Sequence, residues 1–306
     1  MVYNFTSSGL DSQKVSKILS SKILWSLEQE LQQFSPMFFS QAGQAQPQNA
    51  IPLTDVSDQV PGNAQKGDTI RVSVAGKFTA RDKVANSPVI PSVNNWSTIS
   101  LTLNKHKYVA ISMEDVAKAV QGQVTMDALA RYQALAIAEA FERDIATLAT
   151  GFSTTVGTGD AYVISFDTFA EVNRKFYQNG IDVRNPENRA VAYVNPYAYE
   201  DILQGRDEYQ IAGQKGLDQA NKGNLIETPH GILISRSNFL TSTGGATKGM
   251  VLTKEGIMVA FGIKPRVQTE YILSDLSTLQ VADVFYGVAE LRDFAGILLN
   301  ADDINA

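Results

Sequence analysis

Two long stretches of this chain cannot bury themselves, and they constrain the fold more than any motif does. From Pro36 to Ala64 the only charged residues are Asp55 and Asp58, and Gln, Asn, Ala, Pro and Gly dominate. Such a stretch reads as an extended arm of about thirty residues. Ahead of it, residues 11–34 have the pattern of an amphipathic helix. Asp11 stands as its cap, Leu10 and Val15 as a hydrophobic staple, and Val15, Ile18, Leu19, Leu27, Leu31 and Phe34 as one apolar stripe. The second stretch lies between two runs that alternate with period two, Ile70/Val72/Val74 and Ile99/Leu101/Leu103. About twenty residues, Thr79 to Ser97, separate them, longer than compact domains ordinarily tolerate without a function. Residues 67–112 therefore read as a long two-stranded arm with an open tip. A lone hairpin is marginal in water, so both tethered elements need a surface to lie on, either their own body or a neighbouring subunit.

The rest of the chain carries ordinary signals. Met126, Leu129, Ala130, Ala134, Ala138, Phe141, Ile145 and Leu148 recur at helical spacing over 125–149, a rod of about 37 Å at 1.5 Å per residue. Phe166, Phe169, Val172 and Phe176 predict a helix stopping before Gly180. Ala190–Val194 predicts a buried strand, and Asn195-Pro196 starts the helix after it as cap and first-turn proline, with its end near Gly205. Residues 206–224 predict a loop. Further strands are predicted at 232–235, 249–253, 257–261, 278–286 and 288–299, with Lys254-Glu255-Gly256 as a turn.

The chemistry-bearing residues are few. Cysteine is absent from the 306 residues, which removes disulfides, thiolate metal sites and a cysteine nucleophile. The only histidines are His106 and His230, too few for most metal-hydrolase and triad chemistry. Lys and Arg number 26 against 32 Asp and Glu, a net charge of −6, which argues against phosphate neutralisation as the mode of binding any partner. No apolar run reaches the roughly 18–20 residues that span a bilayer. The start, MVYNFTSSG, lacks the features of a secretory signal. The sequons at Asn4 and Asn95 then read as chance matches, and the expected compartment is reducing and aqueous. Gly76-Lys77 fails as a phosphate loop because Phe78 follows it and Arg71 holds the first glycine position. Gly157-Thr158-Gly159-Asp160 suits a plain turn. His106, between Lys105 and Lys107, reads as a polar strand position near an interface, and His230 as a turn residue. Glu114-Asp115 fits the first turn of a helix behind Ser112. Tyr177, Tyr193, Tyr197, Tyr199 and Tyr209 lack a basic surround and suit core and interface packing. The sequence predicts no catalytic, cofactor-binding or metal residue.

The order of parts resembles the major capsid proteins of tailed bacteriophages, with the α+β Hong Kong 97-type fold. The local matches are Gly67-Asp68-Thr69-Ile70-Arg71-Val72 opening the hairpin and Leu103-Asn104-Lys105-His106-Lys107-Tyr108-Val109-Ala110 leaving it. Ile111 to Ala117 then leads to a small-residue and acidic run at Ala136–Asp144. Val194-Asn195-Pro196-Tyr197 and Phe285-Tyr286-Gly287-Val288 follow. The resemblance implies five parts: an N-terminal helix and arm (1–65), an extended hairpin loop (66–112), a spine helix and peripheral domain (113–160), an axial α/β domain (161–272), and return strands of a peripheral antiparallel sheet (273–306). It implies a non-enzymatic structural protein whose partners are identical capsid subunits, forming hexamers and pentamers of an icosahedral shell around double-stranded DNA. It also implies no sequence-specific DNA contact, no membrane, no cofactor, a portal, cementing proteins, and a scaffolding protein that is separate if present at all. The place would be the virion, assembled in the bacterial host cytoplasm. Some relatives cross-link lysine to asparagine; Lys77 and Lys83 lie in the hairpin, with no acceptor identified. Two alternatives stay open at this point, a tail or sheath component and a carboxylate-based hydrolase.

Overall fold

The computed structural model describes residues 53–62, 64–75, 80–83, 85, 86, 88, 89, 96–115, 124–157, 163–185, 189–204, 226–228, 230–240, 242, 243 and 246–302. The predicted helix at 11–34, most of the arm before Leu53 and the predicted loop at 206–224 lie outside them.

Two sheets organise the described residues. The first holds β1 (Thr54–Asp55), β4 (Lys105–Glu114), β11 (Ile257–Ile272) and β12 (Ser277–Glu290) in the order β1-β11-β12-β4. The second has β5 (Thr155–Val156), β13 (Gly296–Asp302), β10 (Ala246–Leu252), β6 (Val191–Val194), β8 (Leu233–Arg236) and β7 (Ile226–Glu227) side by side, with β9 (Ser242–Thr243) also on β10. A separate ribbon pairs β2 (Thr69–Ala75) with β3 (Trp96–Thr102). The helices are α1 (Val124–Ala146), α2 (Phe166–Gln178) and α3 (Pro196–Gln204). The mixture is α+β, as expected.

Both faces of the first sheet are covered, which explains why Ile257-Met258-Val259-Ala260-Phe261 is apolar throughout rather than alternating. One face, with Val259, Phe261, Val284 and Tyr286, packs on Ile137, Phe141 and Ile145 of α1. The other, with Met258, Ala260 and Phe285, packs on Ile70, Leu101 and Leu103 at the hairpin base. In the second sheet, Val191, Tyr193, Met250 and Leu252 join the α1 core, while Ala192, Val194, Ile234 and Val251 face α2 and α3.

Local signals set the helix ends. The Asn195 side-chain oxygen accepts from the Ala198 amide at 2.7 Å, the cap expected ahead of Pro196. Gly180 takes φ +82°, and Ile181 donates back to the Phe176 carbonyl at 2.9 Å, which ends α2 where the sequence predicted.

Four expectations change. Among the described residues the two-stranded pairing covers 69–75 with 96–102, and residues 105–114 instead pair with β12. That strand continues through Ser112 to Glu114, so Ser112 caps no helix; its hydroxyl donates to Ser277 Oγ at 3.2 Å. The long strand after the 254–256 turn runs to Ile272, and 277–290 is one strand rather than two meeting at Gly287. A Cβ at Gly287 would stand 2.5 Å from the Thr102 carbonyl, so this glycine admits the hairpin base and does not break the strand. Finally, the end of the predicted arm is docked. Thr54 and Asp55 run parallel to β11, the Val56 amide donates to the Val259 carbonyl at 2.9 Å, and Val56 is buried.

Candidate functional site

The hairpin is held at one end. Its base is closed by Gly67 N–H to the Leu103 carbonyl at 2.7 Å and Leu103 N–H to the Asp68 carbonyl at 2.9 Å. Ile70, Leu101 and Leu103 are buried there. Away from the base this changes. Val72, Val74 and Ile99 are half-buried, while Trp96 is 56% exposed and Val89, in the connection, 76%. An indole and a valine left in water where the alternation fades are the sequence pattern of a surface awaiting a partner.

The strand leaving the hairpin is fixed from both sides by its alternation. Lys105 and Lys107 point to the α1 face, where their ammonium groups lie 3.2 and 3.4 Å from the Asp144 carboxylate. The Tyr286 hydroxyl donates to the same carboxylate at 2.8 Å. Burial, reinforced by that bond to an anion, pushes the Tyr286 hydroxyl far above its ordinary pKa, so it stays protonated and acts as a fixed donor. His106 points to the opposite face, with Nε2 3.3 Å from Asp283 Oδ2 and its ring edge-on to Phe285 at 5.9 Å. Arg266 closes on Asp283 with two bonds, Nε to Oδ1 at 2.8 Å and Nη2 to Oδ2 at 3.1 Å.

Burial alone would raise the Asp283 carboxyl, but Arg266, with His106 second, holds it below the ordinary carboxylate value. A carboxyl depressed on folding contributes stability that is present above its unfolded pKa and fades as pH falls through the folded one. Arg266 is half-exposed and its pairing is screened by water, so Asp283→Asn is expected to cost about 1 kcal/mol at neutral pH. Urea midpoints of both proteins from about pH 7 to about pH 3 check this: the gap should narrow toward acid. A gap independent of pH would refute the assignment.

The sequence placed His106 correctly in a strand and His230 in a turn, which Gly231 N–H closes onto the Thr228 carbonyl at 2.9 Å. It did not give His106 its partner. The flanking lysines face away, and Asp283 is 177 positions distant. Glu114 closes β4 and so belongs to the strand, while Asp115, which accepts from the Tyr271 hydroxyl at 2.5 Å, is helical and is followed by residues outside the described ones. The tyrosines do not share one surface. Tyr193 is in the core shared by both sheets, Tyr199 lies beneath Arg236, Tyr177 donates to Asp182 at 2.9 Å, and Tyr197 is exposed. Gly76, Lys77, 158–160 and Tyr209 lie outside the described residues; Lys83 is exposed. Arg266 and Asp283 were not singled out by the sequence, and Asp144 and Tyr286 entered only within the runs Ala136–Asp144 and Phe285–Val288. The available signal was Asp283, the lone charge in the apolar run 281–288.

Among the described residues no helix is long and apolar enough to cross a membrane, and no group of three or more His, Asp or Glu is placed to hold a metal.

The arrangement has counterparts among solved phage structures. The capsid structure of the cyanophage P-SCSP1u superposes with a TM-score of 0.63 at 14% identity, over 87% of this chain and 93% of its own. The capsid of Ralstonia phage GP4 gives 0.64 at 12% identity, covering 84% and 88%. A chain of Mycobacterium phage Che8 gives 0.61 at 20% identity, covering 86% and 94%. No protein-family model matches the chain, and no curated protein does. At these identities the likeness is one of fold, and the fold is that of phage capsid subunits.

Proposed function

We propose that this chain is the major capsid protein of a tailed bacteriophage, a structural subunit and not an enzyme. The observation that carries the reading is the hairpin, buried on its own body at Ile70, Leu101 and Leu103 and half-buried at Val72, Val74 and Ile99, with Trp96 and Val89 left exposed, in a fold that phage capsids share. Copies related by a closed symmetry cover each other's exposed elements, and an icosahedral shell repeats such contacts around every five-fold and six-fold position. In this reading 1–65 is the arm, 66–112 the hairpin loop, 113–160 the spine helix with the start of the peripheral domain, 161–272 the axial domain and 273–306 the return to the peripheral sheet. The spine is then α1, and the Hong Kong 97-type topology follows.

The subunits form hexamers and pentamers enclosing double-stranded DNA without reading its sequence, consistent with a chain of net charge −6. Portal, cementing and any separate scaffolding proteins are the remaining partners. The protein resides in the virion after assembly in the host cytoplasm. Negative-stain electron microscopy of the chain, alone and co-expressed with the genes flanking its own, tests this. Closed shells or six-membered rings are expected. Open tubes, or dispersed chains under every condition, overturn it.

A further inference from the structure

The contact beneath α1 changes character along the helix. Ile137, Phe141 and Ile145 seat it on apolar residues of the first sheet. One turn nearer its start the contact is polar: Gln133 is 0% exposed and Gln280 of β12 only 3%. Gln280 shares the α1 face with Ala282, Val284 and Tyr286, because alternate residues of a strand point the same way. The Gln133 side-chain nitrogen donates to two backbone carbonyls, Gln280 at 3.4 Å and Val109 at 3.5 Å, and so reaches both β12 and β4. Those carbonyls fix which way the Gln133 amide faces, since the reverse would set three oxygens together.

Two atoms of this contact are buried without a hydrogen bond: Gln133 Oε1, an acceptor, and Gln280 Nε2, a donor. Burying a polar atom unpaired is costly, and native folds seldom do it. The neighbouring positions do not supply the missing bonds. One turn away on α1, residues 129, 130, 136 and 137 are Leu, Ala, Ala and Ile, and Val109, Ile111 and Ala282 beside Gln280 are apolar as well. Lys105 and Lys107 are held by Asp144, eleven residues along the helix. Glu142 is also buried on α1, but nine residues on is two and a half turns, which puts it on the opposite side of the helix and about 13 Å away. Thr269, directly opposite Gln280 on β11 and half-buried, brings a hydroxyl to the same face.

We infer that one buried water molecule is bound between α1 and β12, donating to Gln133 Oε1 and accepting from Gln280 Nε2. The two atoms select that ligand. An acceptor and a donor that do not reach each other need a small neutral group that is both; the N–H repels a metal ion and the amide oxygen repels an anion. The Thr269 hydroxyl offers a third bond, within the two to four that buried waters make. Reversing the Gln280 amide would present two acceptors, which the same water serves with its two protons. The bound water ties the start of α1 to β12 beyond the point where apolar packing ends, and so positions the helix on the sheet. The site rests on the fold alone and stands whether or not the chain builds a shell.

Three measurements on the full chain test it. A density map fine enough to show ordered water should place one water within hydrogen-bond distance of both Gln133 Oε1 and Gln280 Nε2. Magnetic relaxation dispersion of the solvent counts long-lived internal waters, and Gln280→Met should lower that count by about one while the circular dichroism stays as in the parent. Gln280→Met leaves the Gln133 bonds to both carbonyls in place, so the change reports on the water alone. In urea, Gln133→Met and Gln280→Met should each lower the folded-to-unfolded ratio about tenfold, because each leaves the other amide unpaired. The double variant should cost no more than the worse single one. A map with the two side chains bonded to each other or to protein groups, an internal-water count unchanged by Gln280→Met, or costs that simply add overturns the site.

Discussion

Phe141→Ala is expected to lower the unfolding free energy by about 3–5 kcal/mol, the largest effect of any single substitution considered. Phe141 is 1% exposed on the face of α1 that lies on the first sheet. Its ring meets Tyr286 at 4.9 Å and Phe261 at 6.0 Å, and those two meet each other at 5.9 Å. Ile137 and Ile145, one turn to either side, are buried with it, so no neighbour can swing in to fill the space. The same ring sits where residues of both sheets converge, with Tyr193, Met250 and Leu252 in its cluster. Removing it therefore weakens three layers at once. Urea unfolding of the purified chain measures the effect, and a cost under about 1.5 kcal/mol would show that α1 is not clamped as described.

Deleting Thr79 to Ser97 is expected to leave a folded chain that builds no shell. The deletion removes the two outermost rungs, Val74↔Ser97 and Ala75↔Trp96, and keeps those from Thr69↔Thr102 to Ser73↔Thr98. Residues 74–78 then close the turn, a length ordinary for hairpins. The buried anchors Ile70, Leu101 and Leu103 are untouched, so the thermal midpoint should move little. Circular dichroism melts and electron microscopy on the same preparation separate the two effects. Normal shells from the deleted chain would remove the hairpin from any role in assembly, and a collapsed melt would make it part of the body instead.

What the sequence revealed depended on how local its signals were. The cap at Asn195, Gly180 and the apolar spacing of α1 act within a few residues, and all three appear where expected. Strand partners are set by residues beyond that local range, up to well over a hundred positions away as for Lys107 and Val284, and there local pattern does not decide. Lys105 to Glu114 alternates cleanly, but alternation does not say whether β3 or β12 lies alongside. After Phe261 the long strand shifts register twice, between Phe261, Ile263 and Arg266, so its period-two pattern breaks around Pro265 and hides the rest of the strand, through Ile272. Gly287 looked like an interruption because a close approach by Thr102 leaves no trace in sequence. The polar anchors were invisible for the same reason: Arg266 and Asp283 meet only through the register of β11 on β12.

The order in which the strands are made sets when the fold can exist. β13, the last of the described strands, lies between β5 and β10, and Thr54 of β1 waits for Met258 of β11. During synthesis the first sheet cannot close before β12 has left the ribosome nor the second before β13, and the seat of the hairpin, built from β11 and β12, is absent until then. Products of interrupted translation that lack β13 leave β5 and β10 without the strand between them, so the connectivity itself tests whether a chain has been made through β13.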